Sequence, residues 1–198
     1  RSSPTWFSCD VAKGAVVGLI PAAGLGRRAG QPKAGLILSD DPRPLLVRCV
    51  EGLRLAGASQ VITIVRSEHR ALAESAHATA IVPSVPTQSM IESIHAGLLA
   101  IEQTNKDFAA LLLCPVDSAR AAQIAYGWLG LARTAHPESS IVPKFGDRTG
   151  HPAFLPRRYW QRLRSDACRL HGARAAFTDA HQWPVEHPEA LDNINDWP

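Results

Sequence analysis

The apolar run Ala15-Val16-Val17-Gly18-Leu19-Ile20 stops at Pro21, and the chain then reads Ala22-Ala23-Gly24-Leu25-Gly26-Arg27-Arg28-Ala29-Gly30-Gln31-Pro32-Lys33. A short uninterrupted apolar run with β-branched members reads as a strand buried on both faces, the kind found in parallel sheets covered by helices. Glycines after such a strand let backbone N–H groups turn toward an anion, and fixed cations beside them neutralise it. At the carboxyl end of a strand, a loop of this composition suits a di- or triphosphate.

The rest of the chain alternates in the same way. Strands are expected at 61–65, 80–82, 108–113, 140–142 and 153–155, and helices at 45–55, 67–77, 90–103 and 121–135. Shorter helices are expected near 157–163 and 173–178, and residues 39–44 read as turn-rich. Ser67 and Ser89 are placed to cap the helices that follow them. Strands alternating with helices of ten or more residues give βαβ units. The expected fold is therefore α/β: a three-layer sandwich around a mostly parallel, Rossmann-like nucleotide-binding sheet. Residues 1–14 read as a lead-in and 15–198 as one domain, with no internal repeat or linker. The chain opens without Met, so further native residues are expected upstream.

Net charge decides against several partners. At +3 over 198 residues it argues against a nucleic-acid surface while remaining compatible with a polyphosphate ligand. No apolar run has transmembrane length, and residues 1–10 lack the apolar core of a signal peptide. Cys9, Cys49, Cys114 and Cys168 are far apart, which argues against a zinc site or a disulfide framework and for a reducing, cytoplasmic setting. No nucleic-acid or membrane partner is expected.

The glycine loop itself has competing readings. Gly24-x-Gly26-x-x-Ala29 fits the dinucleotide fingerprint, but Gly30 and Pro32 discourage the helix it needs. The next strand is followed by Arg66 rather than an acidic residue, which leaves only an NADP-type oxidoreductase on that line. A glycine-rich turn with incidental surface arginines is the plain alternative. A second feature bears on the choice. Leu111-Leu112-Leu113-Cys114-Pro115-Val116-Asp117 sets one carboxylate directly after a buried strand, at the edge where open α/β sheets bind ligands. Asp117 there suits Mg²⁺, which takes one or two carboxylates plus phosphate oxygens. Its competing role is to cap the helix that follows.

Ala22, Ala23, Gly24, Arg28, Gly30 and Lys33 also fit, position by position, the signature A-A-G-x-x-x-R-x-G-x-x-K. This loop resembles that of the molybdenum-cofactor cytidylyltransferase-like (MobA-like NTP transferase) family, whose fold is of the nucleotide-diphospho-sugar transferase type. The resemblance continues at Pro83, Met90 and Ser93, matching N-P then G-M-x-x-S, with Val82 and Ser89 as departures. It continues at Asp117, where the family's D-x-P becomes Asp117-Ser118-Ala119. Gly150-His151-Pro152 resembles a family G-H-P, Gly172-Ala173-Arg174 a G-A-R, and Asn193-Ile194-Asn195 the N-I-N of guanylyl-transferring relatives.

The resemblance implies transfer of CMP from CTP to a phosphorylated acceptor such as molybdopterin, with Mg²⁺ and release of pyrophosphate. A molybdoenzyme or its chaperone would be the protein partner. It assigns Arg28, Lys33 and Asp117 to catalysis, with Lys33 expected to touch ligand rather than core. The nucleotide falls to Ala22, Ala23, Gly24, Leu25, Gly26, Arg27, Pro83, Ser89 and Ser93. The acceptor falls to His151 and Arg174, and the metal to Asp117 and Asn195. Guanylyl or sugar- and polyol-phosphate transfer, and a nucleotide-binding module without catalysis, are the alternatives.

Overall fold

The computed structural model describes residues 14–26 and 30–194. Strand β1 (Ala15–Pro21) leads into the glycine loop, a single 3-10 turn (Lys33–Gly35) and a small antiparallel ribbon of β2 (Ile37–Leu38) and β3 (Asp41–Pro44). Then follow α1 (Leu45–Leu55), β4 (Gln60–Ile64), α2 (Arg70–Ser75), β5 (Thr79–Ile81), α3 (Met90–Gln103) and β6 (Phe108–Leu113). The second half holds α4 (Ala119–Ile124), α5 (Tyr126–Ala135), β7 (Ile141–Phe145), β8 (Arg148–Thr149), β9 (Ala153–Pro156), α6 (Asp166–His171) and β10 (His181–Pro184).

The main sheet runs β10-β7-β9-β6-β1-β4-β5, with β8 paired to β7. Neighbours β5, β4, β1 and β6 are mutually parallel, and β9 and β8 are the antiparallel members. Alternation along β1 explains the layers. Val16 and Ile20 point into one apolar cluster with α1, α4 and α5, while Val17 and Leu19 point into another with α3. Both faces are covered, which is why the run reads as continuously apolar.

Local signals set the helix ends. Ser89 Oγ accepts from the Glu92 amide, and the Glu92 carboxylate accepts from the Gln88 amide, a near relative of a capping box. At the end of α1, Gly57 adopts φ 98° while its amide bonds Arg54 and that of Ala58 bonds Leu53, a Schellman closure. Three expectations change. The helix expected over 121–135 is two helices meeting at Ala125, and the turn-rich 39–44 segment contains strand β3. The helix expected over 67–77 opens as a 3-10 turn, Ser67–His69, before α2.

Candidate functional site

β1 has β4 on one side and β6 on the other, so the connections leaving β1 and β6 emerge together at the carboxyl edge of the sheet. Such a point of divergence is where open α/β sheets hold ligands. The Ala22 amide bonds the Ile64 carbonyl at 2.8 Å and the Cys114 amide bonds Leu19 at 3.1 Å, so both connections leave from a rigid edge. Behind the second of them, Cys49 Sγ donates to the Val116 carbonyl and Cys114 Sγ to that of Ser118. These weak bonds fix the Val116–Ser118 turn that carries Asp117.

A cavity of about 360 Å³ opens between these connections. Ala22, Gly24, Leu25, Gly26 and Lys33 line it from the β1 side, Pro115, Val116 and Asp117 from the β6 side, and Ser89 and Ser93 from the start of α3. Gly26 has φ 61°, and a Cβ there would lie 1.8 Å from the Gln31 carbonyl oxygen, so only glycine permits this curl of the loop. Lys33 begins the 3-10 turn that packs against the Asp117 turn. Its Nζ donates to Asp117 Oδ2 at 3.0 Å, with the two side chains 14% and 20% exposed. Lys33 is thus enclosed by protein here as well as lining the cavity, more so than the sequence suggests.

Asp117 does not cap α4. Ser118 holds the capping position without a side-chain bond, and Asp117 Oδ1 is buried with no partner among the described residues. An unpaired buried carboxylate oxygen is costly unless something binds it. One carboxylate oxygen on a lysine, and one waiting for a cation, suit a divalent ion that also draws on phosphate oxygens. Among the described residues no three His, Cys, Asp or Glu side chains form a cluster that could hold a metal ion by themselves.

The other expected residues distribute unevenly. Ala23 and Pro83 line a neighbouring cavity of about 130 Å³. Ser93 Oγ sits 2.8 Å from Thr87 Oγ1, and Ser89 both caps α3 and lines the first cavity. His151 follows the β7–β8 hairpin and lines neither cavity. Its Nδ1 is buried with no partner among the described residues, and burial first, then the Arg174 charge, pushes its pKa down to about 4 against pulls from Asp117 and the Leu113 backbone. Arg174 is exposed and lines neither cavity. Arg27, Arg28 and Asn195 lie outside the described residues. The segment leading to Asn195 does reach the site, since the Ile194 amide bonds the Asp117 carbonyl at 2.9 Å.

Several contributors escape a reading of the sequence. Thr87 and Gln88 line the cavity without a motif position assigned to them above, and Met90, Pro115 and Val116, which stood inside motifs without a role of their own, line it too. A charged network also braces the site. Arg48, 2% exposed, bonds Gln123 and Asp40, and Arg120 joins Asp40 to Asp192, two residues before Ile194. Arg48 carried a faint signal, as a cation among the apolar positions Leu46, Cys49 and Val50 of α1.

A parallel-dominated α/β sheet with a glycine loop and one carboxylate at its switch point defines a nucleotide-binding type of α/β protein. A profile for the MobA-like NTP transferase domain matches residues 18–184, and this chain belongs to that family of nucleotidyltransferases. Solved structures agree on the fold, which is of the nucleotide-diphospho-sugar transferase type. Rv0371c from Mycobacterium tuberculosis H37Rv is 19% identical at a TM-score of 0.66, covering 93% of this chain and 94% of its own. That protein is also known as a complex with manganese, which matches with a TM-score of 0.57 at 19% identity over 87% of each chain. A nucleotidyl transferase from Methanothermobacter thermautotroptrophicus is 15% identical at 0.67, covering 92% of each chain. Molybdopterin-guanine dinucleotide biosynthesis protein A from Archaeoglobus fulgidus is 18% identical at 0.57, covering 91% of this chain and 92% of its own. No curated protein matches the chain's sequence. Among the described residues no helix is long and apolar enough to cross a membrane.

Proposed function

We propose that residues 15–198 form one nucleotidyltransferase domain that transfers CMP from CTP to a phosphorylated acceptor such as molybdopterin. An acceptor phosphate oxygen attacks the α-phosphorus, the bond to the bridging oxygen breaks, and pyrophosphate leaves. One observation carries this reading: Lys33 and Asp117, both lining the cavity of the glycine loop, are hydrogen-bonded, and Asp117 keeps a buried oxygen with no partner among the described residues.

In this reading the backbone amides of 25–27 hold the β- and γ-phosphates, and Arg28 acts with Lys33 on the charge that develops as the bridging oxygen leaves. Lys33 stabilises the leaving oxygen, and catalysis rests on positioning and charge neutralisation. Asp117, with Asn195 as a second ligand, would hold a divalent cation such as Mg²⁺ or Mn²⁺. The cation would supply charge stabilisation at the transferred phosphate. The Rv0371c manganese complex supports a cation of this class. Ala22, Ala23, Pro83, Ser89 and Ser93 border the nucleoside, and His151 and Arg174 belong to the acceptor side. The Ala22-Ala23-Gly24 loop favours CTP, and the Asn193-Ile194-Asn195 ending supports guanylyl transfer as the second reading. A reducing, cytoplasmic setting and a molybdoenzyme or its chaperone as recipient complete the proposal.

The test is pyrophosphate release by the purified chain, with each NTP, Mg²⁺ or Mn²⁺, and a panel of acceptor phosphates. Release is expected with one NTP above the others and abolished by a chelator. NTP binding without release for any acceptor in the panel would favour the non-catalytic module.

A further inference from the structure

The second, smaller cavity adjoins the first. Ala22 lines one and Ala23 the other, and Thr87 lines both. It lies where the chain leaves β4 through Val65 and Arg66 and leaves β5 through Val82 and Pro83. Two charged side chains line it, Arg66 and Glu68. Arg66 Nε donates to Glu68 Oε1 at 2.6 Å. Among the described residues, its two terminal nitrogens make no hydrogen bond. The bond from Arg66 keeps the Glu68 carboxyl below its ordinary range, so it is an acceptor at neutral pH.

A guanidinium held through Nε offers its two terminal nitrogens as a planar pair of donors. With the carboxylate held beside it, the pair supplies two neighbouring donors and an acceptor. The matching edge on a nucleobase has two neighbouring acceptors followed by a donor. Cytosine has it, in O2, N3 and the N4 amino group. Guanine has it too, in N7, O6 and N1–H. Uracil alternates acceptor, donor, acceptor, and adenine has no two neighbouring acceptors. We propose that Arg66 and Glu68 form the base-selecting element of the site, accepting cytosine or guanine nucleotides and rejecting those of uracil and adenine. The proposal rests on the nucleotide reading above, which puts the phosphates in the larger cavity.

The test is calorimetric titration of the full chain with CTP, GTP, UTP, ATP and inorganic tripolyphosphate, each with Mg²⁺. CTP or GTP should bind about tenfold or more tighter than UTP and ATP, the discrimination expected of one bidentate contact. In Arg66→Ala, and separately in the near-isosteric Glu68→Gln, that preference should collapse while tripolyphosphate affinity is kept. Equal binding of all four nucleotides by the natural chain, or a preference that survives Arg66→Ala, would overturn the proposal and leave an ordinary surface ion pair. Tripolyphosphate binding without any base preference sinks only this proposal. Failure of tripolyphosphate and every NTP to bind sinks the nucleotide reading and this proposal together.

Discussion

Lys33 Nζ and Asp117 Oδ2 stand 3.0 Å apart although 84 positions separate them in the chain. The contact ties the loop after β1 to the turn after β6, and it does so between side chains that are mostly out of solvent. It also places a fixed cation on the carboxylate that a divalent ion would use in the proposed function, so the two would compete for the charge of Asp117. In the proposed nucleotide complex, phosphate groups in the cavity would give Lys33 another anion to serve. Release of Asp117 would then accompany nucleotide binding.

The first expectation follows from that competition. Mn²⁺ should bind weakly to the protein alone and much more tightly once an NTP is present, as read by electron paramagnetic resonance of free Mn²⁺. Lys33→Ala removes the competing cation, so Mn²⁺ binding without nucleotide should strengthen. Equal Mn²⁺ affinity in the natural chain and Lys33→Ala, each without nucleotide, would show that the pair does not compete.

The same pair should couple energetically. Lys33→Ala leaves a largely buried carboxylate without its partner, which costs about 1–3 kcal/mol, while Asp117→Asn combined with it should recover part of the loss. Urea unfolding of the two single variants and the double variant gives the coupling directly. Strict additivity would mean that the contact is energetically silent.

Asp117→Asn alone keeps shape and removes charge. Turnover should fall by two orders of magnitude or more, on the order of 3 kcal/mol of transition-state stabilisation. NTP affinity measured without a divalent cation should hold or rise, since a negative charge near the phosphates is gone. Steady-state pyrophosphate release and equilibrium titration check the two halves. Unchanged turnover would remove Asp117 from the machinery.

His151 gives a pH dependence whose sign is set by burial. Its folded pKa, about 4, lies below the ordinary 6.5, so the unfolded chain binds the extra proton between those values. Stability from keeping this ring neutral is fully present above pH 6.5 and is lost as pH falls toward 4, by up to about 3 kcal/mol. Urea unfolding at pH 7.5, 6.0 and 5.0 should show that decline, and His151→Gln should flatten the part it causes. A variant with the same slope as the natural chain would rule this ring out as the cause.

Gly26→Ala tests the loop. A methyl group would meet the Gln31 carbonyl in a backbone conformation that alanine rarely adopts, at about 1 kcal/mol or more. Because the loop lines the cavity, NTP affinity should fall more than the melting temperature does. Thermal unfolding and nucleotide titration on one preparation decide it.

What the sequence determined by itself is local. Helices α1 and α3 and strand β6 have the bounds expected from apolar spacing, because a period of 3.6 or an unbroken apolar run is visible within a dozen residues. Ser89 and Gly57 mark helix ends by chemistry that acts within three or four residues. The candidate loop and Asp117 were legible for the same reason, each beside its own strand. Tertiary structure alone decided the rest. Strand β10, His-Gln-Trp-Pro, alternates exposed and half-buried residues and contains proline, so it carries no strong local signal and exists as a strand by pairing with β7. The split of α4 from α5 at Ala125 interrupts a sequence whose apolar spacing alone would continue. The Lys33–Asp117 bond, the burial of His151 and the division of Ala22 from Ala23 between two cavities depend on strand order. Nothing in a one-dimensional pattern states which of two distant strands will lie beside β1, because that choice is made by the packing of both sheet faces at once.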